Sequence, residues 1–597
     1  MPGFVPVCCL PAALALSVVF AGMCGGCTRG KQAGESGASS EAKAVAPAER
    51  VALDAPAREG KPAKAHDTSQ DALQEAWQAG RLPKSVVAGV PRQGGELTVG
   101  LFVEPPSMNG LVHADYMTSR LGALVYDRLV AEDPYDDPHY RPRPQLAERW
   151  TVSADGLNYT FYLRRGVTWH DGKPFGADDV VATFAKLLDD KGRTASMRTY
   201  FSELLAVDRV DDFTVRLRWK QPYFMVLDVL DDLPIMPAHI IGPLSAVDFA
   251  DAGKNPLMRH PVGTGPFRFV RWQAGQAMLL ERNDAYWGRK AYLDRLRFLF
   301  VEDEIRRGQL ASHGDLDVWE RPSVEQWADD DPFIRQNFNR SLFFDATWSW
   351  IGWNARRPFF ADRRVRAAIG MLLDRKALAR NVHRGLVKPA TCHFYWASPI
   401  CEGAKVLPYD PGRADRLLRE AGWVDHDGDG VRDKDGQAFH FTLSVPSPAA
   451  PALLVLQEEL RRHGIDMAIR QVDWSVYLRR LRQGAFDAYW LQWVSDANVD
   501  PTELWHSRSR TAGSNFLGFH DAEADRLIET ARVTLDAEAR NRAFRRLDEI
   551  LFREQPVTLL FIPARLSLLH RRVRGAHANM LWWQFQDFWV DGKRTTR

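Results

Sequence analysis

An aspartate that follows a strand pattern is the residue of this sequence with the clearest chemical potential. Residues 466–472 and 486–493 have strand patterns, and 474–482 between them has a helix pattern. Short connections and a helical crossover predict a βαβ unit with parallel strands. Ligands of open α/β sheets bind beyond the carboxyl ends of the strands. The second strand leads directly into Ser495 and Asp496, so the Asp496 carboxylate is a candidate contact for a ligand.

Asp500 is a second carboxylate in the same loop (WVSDANVDPTELW, 493–505). The structural alternative for both is a solvated turn residue, since aspartate often hydrogen-bonds the backbone two residues on.

The segment 425–435 (DHDGDGVRDKD) has the spacing of a calcium-binding loop. Such loops place oxygen ligands at alternate positions around a tight glycine turn. Gly436 stands where the loop normally has a bidentate glutamate, so an Asp/Gly-rich turn without metal is the alternative. No cofactor is required by any motif, and a structural Ca²⁺ is the one candidate. Its predicted ligands are Asp425, Asp427, Asp429 and Asp433.

The N-terminal region predicts export. Residues 5–23 form an apolar run without charge, typical of a secretory signal, whereas Pro6 and Pro11 argue against a membrane-spanning helix. The segment 1–27 resembles a lipoprotein signal, with Cys27 as the first candidate for lipidation and Cys24 as the second. Residues 28–93 are rich in Ala, Gly, Ser, Pro and Lys, which predicts a disordered tether.

Two cysteines remain in the exported part of the chain, Cys392 and Cys401. An oxidising compartment favours a disulfide between them. Two unrelated buried thiols are the alternative.

Composition and charge restrict the class of function. The chain has 597 residues, of which 78 are Lys or Arg and 76 are Asp or Glu, so the formal net charge is +2. A nucleic-acid partner is not indicated, because it would favour a large basic excess. The 20 tryptophans suit either a large core or a wide ligand cleft. No Ser/His/Asp, HExxH or paired-cysteine metal motif indicates an enzyme, and no GxxxxGK[ST] loop indicates an ATPase.

Strand and helix patterns alternate from residue 94 onward, which predicts an α/β protein. Residues 96–102 and 157–163 have strand patterns. Helices are predicted from about Gly176, over 363–382 and over 413–421, the last ending at Gly422.

Five segments, in order, resemble the solute-binding proteins of peptide ABC importers, the family 5 extracellular solute-binding proteins. The resemblance covers residues 94 to 597. The segments are PQLAERWTVSADGLNYTFYLRRGVTWHDGKPFGADDV (144–180), GTGPFRFVRWQAGQAMLLERNDAYWG (263–288), WNARRPFFADRRVRAAIGMLLDRKAL (353–378), YDPGRADRLLREAGW (409–423) and GIDMAIRQVDWSVYLRRL (464–481).

The resemblance implies a two-lobed periplasmic-binding-protein fold of type II, in the large peptide-binding class, with a hinge and an extra small domain. The implied divisions are 94–135, 259–350 and 560–597 for the first lobe, 136–258 for the extra domain on it, and 351–559 for the second lobe.

The resemblance also implies residue roles. Trp493 and Asp496 match a position where family members bind the α-amino group of a peptide, which needs a carboxylate partner when it is buried. Asp500 is the alternative for this role, because three residues, where the family has two, separate Asp496 from Asp500–Pro501. Val103 and Glu104 lie where the first lobe of the family contacts its ligand. Further candidates for the cleft are Trp353, Asn354, Tyr395 and Trp396. The structural alternatives are a surface carboxylate for Glu104 and core packing for the aromatic residues.

The function implied by the resemblance is that of a binding protein, not an enzyme. We expect a monomer, lipid-anchored at the outer face of the cytoplasmic membrane or in the periplasm, that closes around short peptides. Its partners would be ABC permease and ATPase subunits on other chains. An oligosaccharide or a metal chelate is the alternative cargo, a peptide-binding sensor or chaperone is an alternative role, and an exported hydrolase is the alternative from another class.

Overall fold

The computed structural model describes residues 89–592, except 114, 137, 329–330, 345, 447–449 and 580–581. The predicted signal segment 1–27, with Cys24 and Cys27, and almost all of the predicted tether lie outside these residues. Among the described residues, no helix combines the length and the apolar composition needed to cross a membrane.

A mixed sheet of eight strands forms the first lobe. Its strand Glu96–Leu101 pairs in parallel with Arg295–Phe300 on one side and with Val318–Glu320 on the other. The remaining pairings are antiparallel. In sheet order the strands are Phe338–Phe344, Phe561–His570, Val318–Glu320, Glu96–Leu101, Arg295–Phe300, Ala277–Arg282 and Phe267–Gln273, with Val387–Pro389 also pairing to Phe561–His570.

A second, smaller sheet belongs to the same lobe and is entirely antiparallel. In the strand Asn158–Leu163 the residues Tyr159, Phe161 and Leu163 are buried, as the alternating sequence predicts. The helix Ala177–Leu188 packs on this sheet and begins after Gly176, also as predicted. The strands in order are Ala147–Val152, Asn158–Leu163, Thr214–Trp219 and Leu204–Asp211.

The second lobe is built on a five-stranded sheet. The strands Asp466–Gln471 and Ala488–Val494 are parallel, with the helix Trp474–Gln483 between them in sequence, so the βαβ prediction is confirmed. They are not neighbours, however, because His440–Val445 lies between them and pairs in parallel with both. The order is Asp466–Gln471, His440–Val445, Ala488–Val494, Thr347–Trp353 and Val557–Leu559.

The chain crosses between the lobes at two adjacent places. Strand Phe338–Phe344 of the first lobe leads into Thr347–Trp353 of the second, and Val557–Leu559 leads back into Phe561–His570. Ser349 Oγ donates to the Phe561 carbonyl at 3.0 Å, which ties the two crossings together. The lobe boundary expected at 350/351 therefore falls inside a strand, since pairing of Thr347 with Val494 already belongs to the second sheet.

Helices of seven or more residues account for most of the remaining regular structure. The helix predicted over 363–382 is divided in two at Leu372–Asp374, because Asp374 caps a new helix by accepting from the Ala377 N–H. The helices are Tyr116–Val125, Ala177–Leu188, Glu304–Ser312, Arg363–Met371, Arg375–Asn381, Pro411–Glu420, Pro451–Arg462, Trp474–Gln483, Ala522–Val533 and Ala537–Glu554.

Short helices and two-stranded ribbons complete the described structure. The helices are Ala195–Arg198, Val226–Asp231, Ala238–Ile241, Ala246–Phe249, Val324–Ala328, Pro332–Asn337, Pro358–Ala361, Thr502–Trp505 and Ser509–Ala512. The ribbons pair Val130–Glu132 with Pro142–Pro144, Asp433–Lys434 with Gln437–Ala438, Val573–Arg574 with Trp589–Val590, and Ala578–Asn579 with Trp582–Trp583.

Cys392 and Cys401 form a disulfide, with Cα atoms 5.6 Å apart. The bridge closes a loop that packs beside the strand Phe338–Phe344 and the helix Ala537–Glu554, through Trp396 and Phe394 respectively. The bond therefore restrains a segment next to the crossings between the lobes.

We predict that Cys401→Ser lowers the free energy of unfolding by about 2–3 kcal/mol, because a short loop loses its constraint in the unfolded chain. Urea unfolding of the parent and the variant, each with and without reductant, measures this difference. Reductant should destabilise the parent and leave the variant unchanged; equal unfolding midpoints for all four samples would contradict the prediction.

Candidate functional site

A cavity of about 1010 Å³ lies between the two lobes. The first lobe contributes residues of the helices Tyr116–Val125 and Val226–Asp231, and the second contributes residues 493–496, 499–500 and 502–504. This volume is at the upper end of the range for pockets that hold small ligands. The cavity can therefore hold a molecule of several residues.

The loop after the strand Ala488–Val494 brings Asp496 to the cavity. Ser495 is fixed on both sides, because its N–H donates to the Ala346 carbonyl at 3.1 Å and its Oγ accepts from Trp348 Nε1 at 3.2 Å. The Asp496 side chain is exposed towards the cavity that it lines, and the surrounding protein shields it from bulk water. Its carboxylate has no hydrogen bond or ion pair among the residues that the structure describes. Trp493 and Ser495 are buried and also line the cavity.

Four carboxylates of the first lobe face the same space as Asp496. They are Glu132, Asp228, Asp231 and Asp232, and all line the cavity. Asp228 accepts from Asn498 Nδ2 at 2.8 Å, a hydrogen bond that joins the two lobes. Together with Asp496 they form the acidic cluster, a group of five carboxylates drawn from both lobes.

Burial and mutual repulsion raise the pKa values of Glu132, Asp228, Asp232 and Asp496. Removal from bulk water, followed by the nearby charges of Asp232 and Asp228, raises the pKa of Asp496 to about 7. Desolvation likewise raises the pKa values of Asp228 and Asp232 to about 6. The pKa of Glu132 is raised well above its ordinary value, again chiefly by desolvation. A cationic ligand would relieve this repulsion.

Asp500, the alternative to Asp496, also lines the cavity but already has partners. Its carboxylate is paired with the Arg532 guanidinium and accepts from Tyr223 Oη at 3.3 Å and from the Thr502 N–H at 3.0 Å. These contacts make Asp500 part of the bridge between the lobes, since Tyr223 belongs to the first and Arg532 to the second. Asp496 is therefore the better placed of the two for a ligand.

Val103 and Glu104 lie outside the lining of the cavity. Val103 packs against the core of the large sheet. The Glu104 carboxylate accepts from Trp272 Nε1 at 2.7 Å and from the Gly275 N–H at 2.8 Å, and it pairs with Arg259 at 3.4 Å. These three partners occupy Glu104, which corrects the expectation that it faces the ligand.

Trp353 and Asn354 are core residues of the second lobe. Trp353 is 0% exposed, and its Nε1 donates to Thr558 Oγ1 at 3.0 Å. Asn354 is 1% exposed and donates from Nδ2 to the carbonyls of Phe486 and Gly484. Neither lines the cavity. The core alternative holds for Trp353, and the expectation that Asn354 faces the cleft is wrong, because its amide is already bonded inside the lobe.

Tyr395 and Trp396 lie beside the cavity but not on its lining. Tyr395 is buried against Ala346 and Ala497, the neighbour of Asp496. Lys388 Nζ lies 4.0 Å from the centroid of the Trp396 ring. The disulfide loop thus supports the residues that flank Asp496 without itself contacting the cavity.

The predicted calcium loop brings three of its four aspartates together. Ligand atoms of Asp425, Asp427 and Asp433 lie within 4.8 Å of one another, whereas Asp429 is not part of this group. Asp425 already accepts from the N–H groups of Gly428 and Gly430. Calcium binding stays a prediction.

Sequence reasoning missed the part of the acidic cluster that comes from the first lobe. The segment 223–234 (YFMVLDVLDDLP) carries a signal for it, because Asp228, Asp231 and Asp232 recur at helical spacing in an otherwise apolar stretch. Glu132 carries no comparable signal, since it lies in a three-residue strand.

Comparison with known proteins places this chain in a family. Residues 141–515 match the model described as "Bacterial extracellular solute-binding proteins, family 5 Middle". The chain belongs to this family. Oligopeptide-binding protein AppA of Bacillus subtilis is 30% identical over 504 residues, which cover 82% of this chain and 90% of the relative. Heme-binding protein A of Haemophilus influenzae is 29% identical over 478 residues, covering 76% and 84%.

Solved structures of the family have the same fold. AppA from Bacillus subtilis in complex with a nonapeptide has a TM-score of 0.67 at 26% identity and covers 84% of this chain and 100% of its own. NikA from Brucella suis, solved with Fe(III)-EDTA, has a TM-score of 0.74 at 23% identity and covers 83% and 100%. The predicted two-lobed α/β fold is therefore confirmed.

We predict that Asp496→Asn stabilises the ligand-free protein by about 1 kcal/mol at pH 8, an estimate reduced for the exposure of this carboxylate to solvent. The folded pKa of about 7 exceeds the ordinary value of 3.8. The native state therefore loses stability as the pH rises towards and through 7, because the carboxylate becomes charged among like charges.

Urea unfolding at pH 8 and at pH 4 measures the effect, with Asp190→Asn as the matched control at an exposed aspartate away from the cavity. The gain in free energy of unfolding of Asp496→Asn over the parent should be largest at pH 8 and nearly absent at pH 4. A variant no more stable than its parent at pH 8 would contradict the prediction.

Proposed function

We propose that this chain is the extracytoplasmic receptor of an ABC importer and binds short peptides between its lobes. The observation that carries the proposal is the unpaired Asp496 carboxylate at a strand end, facing a cavity between the lobes. Peptides of any sequence share an α-ammonium group, and a desolvated ammonium needs a carboxylate partner. Relatives named as oligopeptide-binding and di/tripeptide-binding proteins support this cargo.

Basic residues on the lining suit the other end of a peptide. Arg508 lines the cavity and has no ion pair among the described residues, so its guanidinium is available to a terminal carboxylate. Other arginines of the lining are already engaged: Arg289 pairs with Asp587, and Arg565 donates to Thr347 Oγ1. A zwitterionic ligand would thus meet both signs of charge in one cavity.

Hinge closure is the proposed mechanism. The two adjacent crossings allow the lobes to rotate, and contacts from Asn498 to Asp228 and from Asp500 to Tyr223 join the lobes beside the cavity. A ligand that contacts Asp496 and the first lobe at once binds the closed form preferentially, so it shifts the equilibrium towards closure. A permease on another chain would then recognise the closed form.

The proposed location is the outer face of the cytoplasmic membrane, as a monomer held by a lipid on Cys27 or Cys24. The apolar N-terminal run and the small residues before these cysteines support an acylated N-terminus. A family of bacterial extracellular proteins is consistent with this location.

We predict that the parent protein binds Ala-Ala-Ala and that Asp496→Asn weakens this affinity by about 30-fold or more, equivalent to about 2 kcal/mol. Calorimetry at pH 8 with the parent, Asp496→Asn and Asp190→Asn measures the effect. N-acetyl-Ala-Ala-Ala, which lacks the ammonium, should bind the parent as weakly as Ala-Ala-Ala binds Asp496→Asn. Binding of a sugar or a metal chelate with no binding of any tripeptide would overturn the peptide assignment.

We also propose that the loop of Asp425, Asp427 and Asp433 binds a structural Ca²⁺, and we expect millimolar Ca²⁺ to raise the thermal midpoint of the parent. Three carboxylates within 4.8 Å repel one another, and a divalent cation would remove this repulsion. Asp427→Ala should abolish the Ca²⁺ effect, and Asp190→Asn should retain it. A parent midpoint insensitive to Ca²⁺ would rule the site out.

A further inference from the structure

Three carboxylates of the acidic cluster have no partner. Glu132, Asp232 and Asp496 make no side-chain hydrogen bond or ion pair with any residue that the structure describes, and all three line the cavity. Glu132 is only 8% exposed, so its charge is almost fully removed from bulk water and opens only towards this space. An unpaired carboxylate in such a place is costly unless a cation arrives.

The cations around the acidic cluster are too few to neutralise it. Arg128 pairs with Asp231 at 3.7 Å, and Arg540 lies near Asp228. Arg120 lies near both Asp232 and Asp496. These three guanidinium groups are the cations that act on the five carboxylates; Arg508 also lines the cavity but is not among the main charges acting on Asp228, Asp232 or Asp496.

The remaining excess is two negative charges when all five carboxylates are ionised. Asp500, on the same lining, does not change this balance, because Arg532 neutralises it. Glu503 adds a further carboxylate nearby, which accepts from Ser514 Oγ at 2.9 Å. A single α-ammonium group would compensate only one of these negative charges.

The spacing of the acidic cluster favours two separate cations over one metal ion. Among the described residues, only one group of three acidic or metal-ligating side chains has ligand atoms within 4.8 Å of one another. It consists of Asp425, Asp427 and Asp433, in the predicted calcium loop. No three members of the acidic cluster meet this distance. A divalent ion needs several oxygen atoms in one coordination sphere, whereas ammonium and guanidinium groups bind carboxylates one or two at a time.

We propose that the cavity selects peptides whose first residue is lysine or arginine, so that two cationic groups enter at one end. The α-ammonium group contacts Asp496, and the side-chain cation contacts Glu132 and Asp232. This inference rests on the proposed function, because it concerns the same cavity and adds a preference for the first residue of the peptide.

The experiment compares Lys-Ala-Ala with norleucine-Ala-Ala, in which the side chain has the same carbon chain but lacks the ammonium group. Calorimetry at pH 8 on the parent protein should show that the lysine peptide binds at least about tenfold more tightly, as expected for a desolvated charge pair. Asp232→Asn should reduce this ratio to about threefold or less, because it weakens the binding of the lysine peptide more than that of norleucine-Ala-Ala. Asp190→Asn should keep the ratio of the parent.

The outcomes separate the two proposals. Equal affinities of the two peptides for the parent would overturn the preference while leaving peptide binding intact. Failure of both peptides and of Ala-Ala-Ala to bind would overturn the proposed function itself. An unchanged ratio in Asp232→Asn and also in Glu132→Gln, each with a parent-like circular dichroism spectrum, would overturn the assignment of the second cation to these carboxylates.

Discussion

Repulsion between carboxylates that are shielded from bulk water is the constraint on which the cavity depends. Five carboxylates converge on one space, yet the second lobe contributes only Asp496 among them. In the proposed hinge mechanism, closing the lobes brings a negative group towards four others and costs free energy unless a cation enters. On that proposal, closure depends on a cationic ligand. Hydrogen bonds such as that from Asn498 to Asp228 oppose this repulsion, because they hold the lobes in contact.

Rigid strand ends set the position of the ligand contacts. Asp496 follows a strand that is hydrogen-bonded on both sides, and Ser495 is fixed by Ala346 and Trp348. The tryptophans beside it serve mainly as packing: Trp348 and Trp350 are almost fully buried, with ring centroids 4.4 Å apart. These two tryptophans thus pack behind the acidic loop, whereas Trp287, Trp493 and Trp583 line the cavity itself.

The sequence was sufficient for the second-lobe side of the site and insufficient for the first-lobe side. Asp496 could be placed because the position of a loop after a parallel strand follows from local patterns and a general rule of α/β sheets. Glu132 and Asp232 could not, because their approach to Asp496 depends on how two lobes pack, which no local pattern records. Glu104 and Trp353 were assigned to the cleft from the resemblance alone, and their polar atoms proved to be bonded elsewhere. The split of the predicted helix at Asp374 shows the same limit, since apolar periodicity continued through a residue that caps a new helix.

The order of strands in the large sheet has a consequence for how the chain matures. Phe561–His570 lies between Phe338–Phe344 and Val318–Glu320, and Arg572 donates to the carbonyl of Glu96 across 476 positions. The sheet that contains Glu96–Leu101 is therefore incomplete until Phe561–His570 has been synthesised. Contacts of such long sequence separation form slowly. Late completion of this sheet would keep the polypeptide unfolded for longer, and an unfolded chain is what passage through a narrow secretion channel requires.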